Sequence, residues 1–491
     1  MTATSPRLAR LARVGGGGLA AGLLLTLSLP PVGLWALGPA GVAVLAWVVG
    51  RTASWRGRLV VGAGCGLGLY GPGLWWATEF HALGWALLVV LESAVLAGAV
   101  ALVRPSRVAV ALPAALVVAE AVRGRWPFGG LPLAGLDLGQ VEGPLLAGAR
   151  IGGHLLVVAL VGVAGVALLG VATRRWAAAA LGTAVAAAVA VGGAVAFDGG
   201  RPERLVVAAV QGGGVRGLRA VDADPGAVLD AHVAASQSVR GAGLVVWPED
   251  VVDVDGPLDG SEEAVAVAGV AHDLGSTLVA GVVEDLPGTR RFRNAAVVWI
   301  ADGTVIDRYE KVHRVPFGEY IPYRSFFERL ADLSNVPRDA IAGRGPGTVA
   351  SPVGRLGVMI SYEVFFADRA RSAASAGGRL LLVPTNASSY TTSQVPAQEL
   401  AAARVRAVET GRWVVQAAPT GYSAVVDQRG RVQARGPLGR AAVIQRTVEL
   451  RQGRTWAVRL GEWPCALLAA LGLALTHGRP GLVRRVHYPL R

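Results

Sequence analysis

The sequence predicts an α/β domain inserted ahead of the last helix of an eight-span α-helical membrane bundle. Three observations lead there. Hydrophobic residues make up 53% of the 491 positions and charged ones only 16%, a balance foreign to an ordinary soluble chain. The apolar residues are segregated, because 15–197 and roughly 458–476 are almost free of charge whereas 198–454 has a soluble composition. Within that middle segment, short apolar runs alternate with helix-like stretches, the pattern of a sheet covered on both faces.

The spans come first. About 20 apolar residues are needed to cross a hydrocarbon core of about 30 Å. Stretches at 15–30, 33–50, 59–77, 82–103, 107–122, 151–173, 176–197 and 458–476 meet or approach that length, with Pro30-Pro31 separating the first two. Arginine sets the orientation. Arg7, Arg10, Arg13, Arg51, Arg56, Arg58, Arg104, Arg107, Arg174, Arg175, Arg479, Arg484, Arg485 and Arg491 flank the spans on one side. The alternate connections hold only Arg123, Arg125 and Arg150. That bias, together with eight spans, puts both termini in the cytoplasm and 198–454 outside it. The expected domains are therefore a seven-span membrane domain (1–197), an extracytoplasmic domain (198–454), and a final helix with a tail (455–491). A cleaved signal peptide is the alternative for the first stretch, although no small-residue cleavage site follows it before the next span.

The net charge of +13 does not point to nucleic acid. Much of the arginine lies between apolar segments, where it sets topology, and no nucleic-acid partner is expected. Cys65 and Cys465 both fall in apolar stretches, so the soluble segment has neither a disulfide framework nor a cysteine metal site. The seven histidines show no HxxxH-like spacing, and neither metal nor cofactor is expected.

In the soluble segment, strands are expected at Leu205–Val210, Leu244–Trp247, Thr277–Val283, Ala295–Ile300, Arg355–Ile360, Leu380–Pro384 and Trp413–Ala417. Helices are expected near 226–240, 261–274, 367–376 and 396–410. Ala301-Asp-Gly303 reads as a hairpin turn into Thr304–Tyr309.

Three motifs end or follow these strands: Trp247-Pro248-Glu249, Lys311-Val-His-Arg-Val-Pro-Phe-Gly-Glu319-Tyr320, and Ser361-Tyr362-Glu363. In each, a reactive side chain sits where a buried strand gives way to a loop. Lys311 is also the only lysine among 47 basic residues. A lysine kept where every other basic position is arginine marks a need for a compact ammonium.

Together these motifs resemble the carbon–nitrogen hydrolase (nitrilase) superfamily. The KVHRVPFGEY stretch at 311–320 narrows the resemblance to its membrane-embedded branch, the apolipoprotein N-acyltransferases. Trp247-Pro-Glu249 and Arg404-Val-Arg-Ala-Val-Glu-Thr-Gly-Arg412 add to it, with weaker matches at Pro30-Pro31 and Trp126-Pro127. The resemblance implies a nitrilase-like αββα sandwich in a multi-pass protein of the bacterial cell membrane. It implies an acyl chain passing from a phospholipid to the enzyme and then to the amine of the diacylglyceryl-modified N-terminal cysteine of an apolipoprotein. It makes Glu249 the base, Lys311 the stabiliser of the oxyanion, and position 361 the nucleophile. Glu319 and Glu363 would order Lys311 and its loop, with Tyr362 beside the nucleophile.

Two features depart from the family pattern. The nucleophile position holds Ser361 rather than cysteine, and a hydroxyl ionises far less readily than a thiol titrating near 8.5. Three outcomes stay open: an oxyester intermediate, slow transfer, or a chain that binds lipid or lipoprotein without turnover. The second departure is the loop Gly212–Ala220, which lacks the aromatic residue the family often carries there. A membrane-anchored amidase is the remaining alternative. Arg404, Arg406 and Arg412 read as structural, His313 as a packing residue, and Trp75, Trp76 and Trp85 as an interfacial belt.

Overall fold

The computed structural model describes residues 6–200, 202–215, 224–329, 333 and 336–477. Arg479, Arg484, Arg485, Arg491 and residues 216–220 lie outside the described residues, as do the side chains of Arg7 and Arg10. The chain divides into two compact units, Met1–Ala196 with Leu460–Arg491, and Phe197–Arg459.

The first unit is helical: α1 (Pro6–Ser28), α2 (Leu37–Gly50), α3 (Trp55–Gly73), α4 (Ala82–Ala101), α5 (Val108–Arg123), α6 (Ala149–Ala172) and α7 (Trp176–Val195), with Trp463–Leu475 after the second unit. Among the described residues, five stretches are long and apolar enough to cross a membrane: Leu11–Ser28, Ala82–Ala101, Pro105–Arg123, Pro144–Ala172 and Trp176–Val195. Leu37–Gly50 and Trp463–Leu475 are apolar but shorter. The glycines of α3 buy close packing instead of hydropathy. A Cβ at Gly64 or Gly68 of α3 would stand 2.3 or 2.5 Å from the carbonyl oxygen of Gly15 or Leu19 on α1, the small-residue contact that lets helix backbones meet in a bilayer. Of the three arginines counted in the alternate connections, Arg123 and Arg150 are buried and serve packing. Arg150 donates to the Gly193 carbonyl at 3.2 Å, and Arg125 pairs with Glu462.

The second unit is a sandwich of two sheets. Its elements are β1 (Glu203–Gln211), α8 (Pro225–Ser236), β2 (Leu244–Val246), β3 (Val252–Val254), α9 (Glu262–Leu274), β4 (Thr277–Asp285), β5 (Arg291–Trp299) and β6 (Val305–Glu310). There follow α10 (Arg324–Phe327), β7 (Asp339–Ala340), β8 (Thr348–Val349), β9 (Leu356–Val358), α11 (Ala367–Ser375), β10 (Leu381–Pro384) and α12 (Val395–Thr410). The unit closes with β11 (Val414–Ala417), β12 (Ala424–Val426), β13 (Val432–Arg435), β14 (Ala442–Leu450) and α13 (Trp456–Leu460). One sheet runs β14-β1-β2-β4-β5-β6, with β3 on β4 and β7 on β5; the other runs β13-β12-β11-β10-β9-β8. The adjacent strands β1-β2-β4 and β9-β10-β11 are parallel.

Alternation along the strands builds the layers. Val207, Ala209, Val246, Val279, Ala296 and Val298 of one sheet pack in a single core with Val358, Ile360, Leu382, Val415 and Val425 of the other. The opposite residues, Ala208, Val245, Trp247, Ala280, Val282 and Val297, pack on the outer side with Leu229 of α8 and Val267 and Val270 of α9. Helix α9 is bounded by its sequence: the Ser261 hydroxyl accepts from the Ala264 N–H, and Gly275 ends it at φ 58°.

The expected strands are present, and the turn at Ala301–Gly303 joins the antiparallel pair β5–β6. Six strands were not anticipated: β3, β7, β8, β12, β13 and β14. β13 alternates half-buried Val432 and Ala434 with exposed Gln433 and Arg435, and β14 exposes Arg446 and Thr447 between buried Ile444 and Val448, so they lack the continuous apolar run of a doubly covered strand.

Candidate active site

Glu249 is delivered by β2. The Trp247 ring is fully buried and donates its indole N–H to Ser236 Oγ at 3.0 Å. Beyond it the backbone crosses β4 so closely that the Gly281 N–H donates to the Pro248 carbonyl at 3.0 Å. A Cβ at Gly281 would lie 2.4 Å from Glu249 Cα, so only glycine lets the carboxylate turn in here. Lys311 follows β6 directly. Its N–H donates to the Asn294 carbonyl and its own carbonyl accepts from the Gly343 N–H, both at 2.8 Å. Ser361 lies just beyond β9 with φ +49°, a left-handed conformation that a residue with a Cβ adopts only when its surroundings enforce it. It is half-buried, whereas Tyr362, Glu363, Val364 and Phe365 behind it are buried.

The ammonium of Lys311 donates to Glu249 Oε1 and Glu319 Oε1, each at 2.8 Å. Asn294 Nδ2 donates to the same two oxygens at 2.8 and 3.1 Å, and the Asn386 N–H donates to Glu249 Oε2 at 3.0 Å. Burial alone would pull the Lys311 pKa down. The charges of Glu249 and Glu319 outweigh it, and the lysine is held as a cation. Burial pushes the Glu249 carboxyl up, with the charge of Glu319 adding and Lys311 opposing, which makes it a stronger base than an exposed glutamate. Asp250 is raised well above its usual range, first by burial and then by Glu249. Each ammonium has three N–H donors, so Lys311 keeps one without a protein acceptor among the described residues.

Glu363 joins the two sheets. Its Oε1 accepts from the Tyr309 hydroxyl (2.8 Å), the Val312 N–H (2.8 Å) and the His313 N–H (3.0 Å), all flanking Lys311. Its Oε2 accepts from the Ile360 N–H, next to Ser361, at 2.9 Å. Tyr362 packs its ring edge against Phe366 at 5.0 Å. His313 stacks on Phe366 at 4.2 Å and lies 3.4 Å from Asp368. Arg406 pairs with Glu409 at 2.6 Å, Arg412 donates to the carbonyls of Gly378, Thr410 and Gly453, and Arg404 to that of Gly430, so all three brace the scaffold.

Glu249, Lys311 and Glu319 are thus gathered in one cluster. Ser361 joins it through the turn after β10, where Thr385 Oγ1 lies 3.2 Å from Ser361 Oγ and the next residue, Asn386, holds Glu249. Sequence reasoning passed over Asn294, Thr385, Asn386 and Glu399. The signal was there for the middle pair, since Thr385-Asn386 ends a strand as the three motifs do. Glu399 stands out only as an acid on a helix that is buried on almost every side.

The buried Glu249–Lys311 pair and Ser361 thus lie at the ends of sandwich strands, and the carbon–nitrogen hydrolase family model matches residues 206–458. The apolipoprotein N-acyltransferase N-terminal domain matches residues 21–167. Apolipoprotein N-acyltransferases of Mycolicibacterium smegmatis (33% identical, 98% of this chain and 88% of that protein) and Pseudomonas putida (31%, 94% and 96%) are similar along nearly the whole chain. That of Photobacterium profundum is 27% identical over 93% of each. The chain therefore belongs to the apolipoprotein N-acyltransferase family and is an acyltransferase with lipoproteins as its substrate class.

Proposed function

We propose that this chain moves an acyl chain from a phospholipid to the amine of the lipid-modified N-terminal cysteine of apolipoproteins, by way of an oxyester on Ser361. The observation that carries the reading is the buried Glu249–Lys311 pair, 2.8 Å apart, whose ammonium has a donor left for a ligand. In the first half-reaction Ser361 Oγ attacks the phospholipid ester carbonyl, and Lys311 stabilises the oxyanion in a site where burial strengthens the interaction. In the second, the amine attacks the oxyester. Glu249 takes up the proton of the attacking amine, while Glu319 fixes Lys311 and Glu363 fixes the loop beside it. Tyr362 backs the nucleophile.

In this reading all eight apolar helices span the membrane, with 198–454 outside and both termini in the cytoplasm. Placing the site at the outer leaflet brings it to two membrane-bound substrates. Single cysteines introduced on the domain surface should react with a membrane-impermeant thiol reagent in intact cells; protection of all of them until lysis would refute that orientation. Serine in place of a thiol favours the second reading, binding without turnover. A labelled phospholipid and a diacylated lipopeptide separate the two: triacylated product from the wild type, absent from Ser361→Ala, supports transfer. Retained lipopeptide binding with no product from the wild type supports binding alone.

A further inference from the structure

The domain holds another buried carboxyl that the chemistry above leaves unused. Glu399, near the start of α12, is buried and hydrogen-bonds to the hydroxyl of Thr385. Thr385 is fully buried, and its hydroxyl lies 3.2 Å from Ser361 Oγ. Ser361 also faces the Glu399 carboxyl and opposes the rise of its pKa. Glu249, by contrast, is occupied by Lys311, Asn294 and Asn386, and among the described residues it has no hydrogen bond to Ser361.

Proton counting gives this chain of groups a direction. A hydroxyl has one hydrogen to donate. When Glu399 is ionised, Thr385 gives its hydrogen to the carboxylate and turns a lone pair toward Ser361, whose O–H must then donate into the pair. When Glu399 is protonated the order reverses. Glu399 donates to Thr385, Thr385 donates to Ser361, and the lone pair needed for attack is engaged.

We propose that Glu399, acting through Thr385, is the positioning residue that orients the Ser361 hydroxyl and receives its proton. The proposal rests on the acyl-enzyme reading and refines it. As Ser361 Oγ bonds to the acyl carbon, its proton passes to Thr385 Oγ1 and that of Thr385 passes to Glu399. When the tetrahedral adduct collapses, the bond to the lysophospholipid oxygen breaks, Thr385 Oγ1 gives its proton to that oxygen, and Glu399 returns its own to Thr385. Glu249 is then left to deprotonate the acceptor amine in the second half-reaction. A thiol, which ionises unaided near 8.5, has no need of such a route, and a hydroxyl does.

The groups facing Glu399 set its titration. Burial lifts its pKa to about 7, the charge of Glu249 adds to the rise, and Thr385, Lys311 and Ser361 oppose it. The productive direction is therefore established above about pH 7 and lost below it.

The test is acyl-enzyme formation by the purified full chain with a fluorescent phospholipid, followed against pH. Wild type, Glu399→Gln, Thr385→Val and Thr385→Ser are compared, each also combined with Ser361→Cys. We expect the wild-type rate to rise through about pH 7. Glu399→Gln and Thr385→Val should be slower by roughly 100-fold, the scale of a lost proton acceptor, with the pH limb gone and KM unchanged. Thr385→Ser should recover most of the rate. In the Ser361→Cys background Glu399→Gln should cost less than about threefold, because the thiol supplies its own anion. Equal slowing in both backgrounds, a limb that survives Glu399→Gln, or no recovery by Thr385→Ser would overturn the proposal. No adduct on either nucleophile would instead overturn the acyl-enzyme reading, and this proposal with it.

Discussion

Each of the two units buries a cation between two glutamates, and the two clusters are built to opposite ends. In the helical unit, Arg123 pairs with Glu92 and Glu120 and donates further to the carbonyls of Leu131 (3.2 Å) and Leu133 (2.7 Å), with its guanidinium 4.3 Å from the Tyr70 ring centroid. Four of its five N–H groups are used, two of them on backbone carbonyls, and its flat face lies against Tyr70, so protein groups surround the cation. In the sandwich, Lys311 donates among the described residues only to Glu249 and Glu319 and keeps one N–H. Arginine's planar fork suits a site that must be filled, whereas lysine's compact ammonium suits one that must receive a ligand. In a chain where every other basic residue is arginine, that difference explains why one lysine persists.

Exchanging the cations tests the contrast most severely. Lys311→Arg should lower acyl transfer by about 1,000-fold, the scale of a lost oxyanion donor, while the purified protein melts close to wild type. Activity within tenfold of wild type would mean that Lys311 is only a structural cation. Glu363→Gln comes next. An amide turned toward the N–H groups of Val312, His313 and Ile360 loses an acceptor shared by the Lys311 loop and the residue before Ser361. Since about 1 Å of misplacement can cost about 100-fold, we expect a drop of that size in single-turnover acylation with phospholipid KM little changed. Arg123→Lys should have the smallest effect on chemistry, within about threefold per folded molecule. It should also destabilise the helical unit by about 1–3 kcal/mol, because two carbonyls lose their donor. Thermal unfolding in detergent measures that loss, and an unchanged midpoint would show the cluster to be less closed than its geometry.

Legibility followed the same division. The Glu249 and Ser361 motifs could be read because each follows a run of buried strand residues, Lys311 because it is the only lysine in the chain, and the apolar helices because hydropathy marks them directly. Helix α3 was readable only loosely, since glycines that serve packing dilute its hydropathy. Strands β13 and β14 were missed because one face of each meets water and breaks the apolar run. Glu399 could not be singled out, because its meaning depends on Thr385, 14 residues earlier and on a different element. Arg123 and Arg150 look like connection charges in a sequence, and only the three-dimensional packing assigns them to the interior.

The central claim is that Ser361 carries the acyl chain. Its most direct test incubates the purified protein with a labelled phospholipid and reads the peptide spanning 356–369 by mass spectrometry. The account requires an acyl adduct on Ser361 that is absent from Ser361→Ala and disappears, with triacylated product, when a diacylated lipopeptide is added. A wild type without adduct or product, alongside a Ser361→Cys variant that gains both, would contradict it and leave a competent fold that binds its lipid substrates without transferring between them.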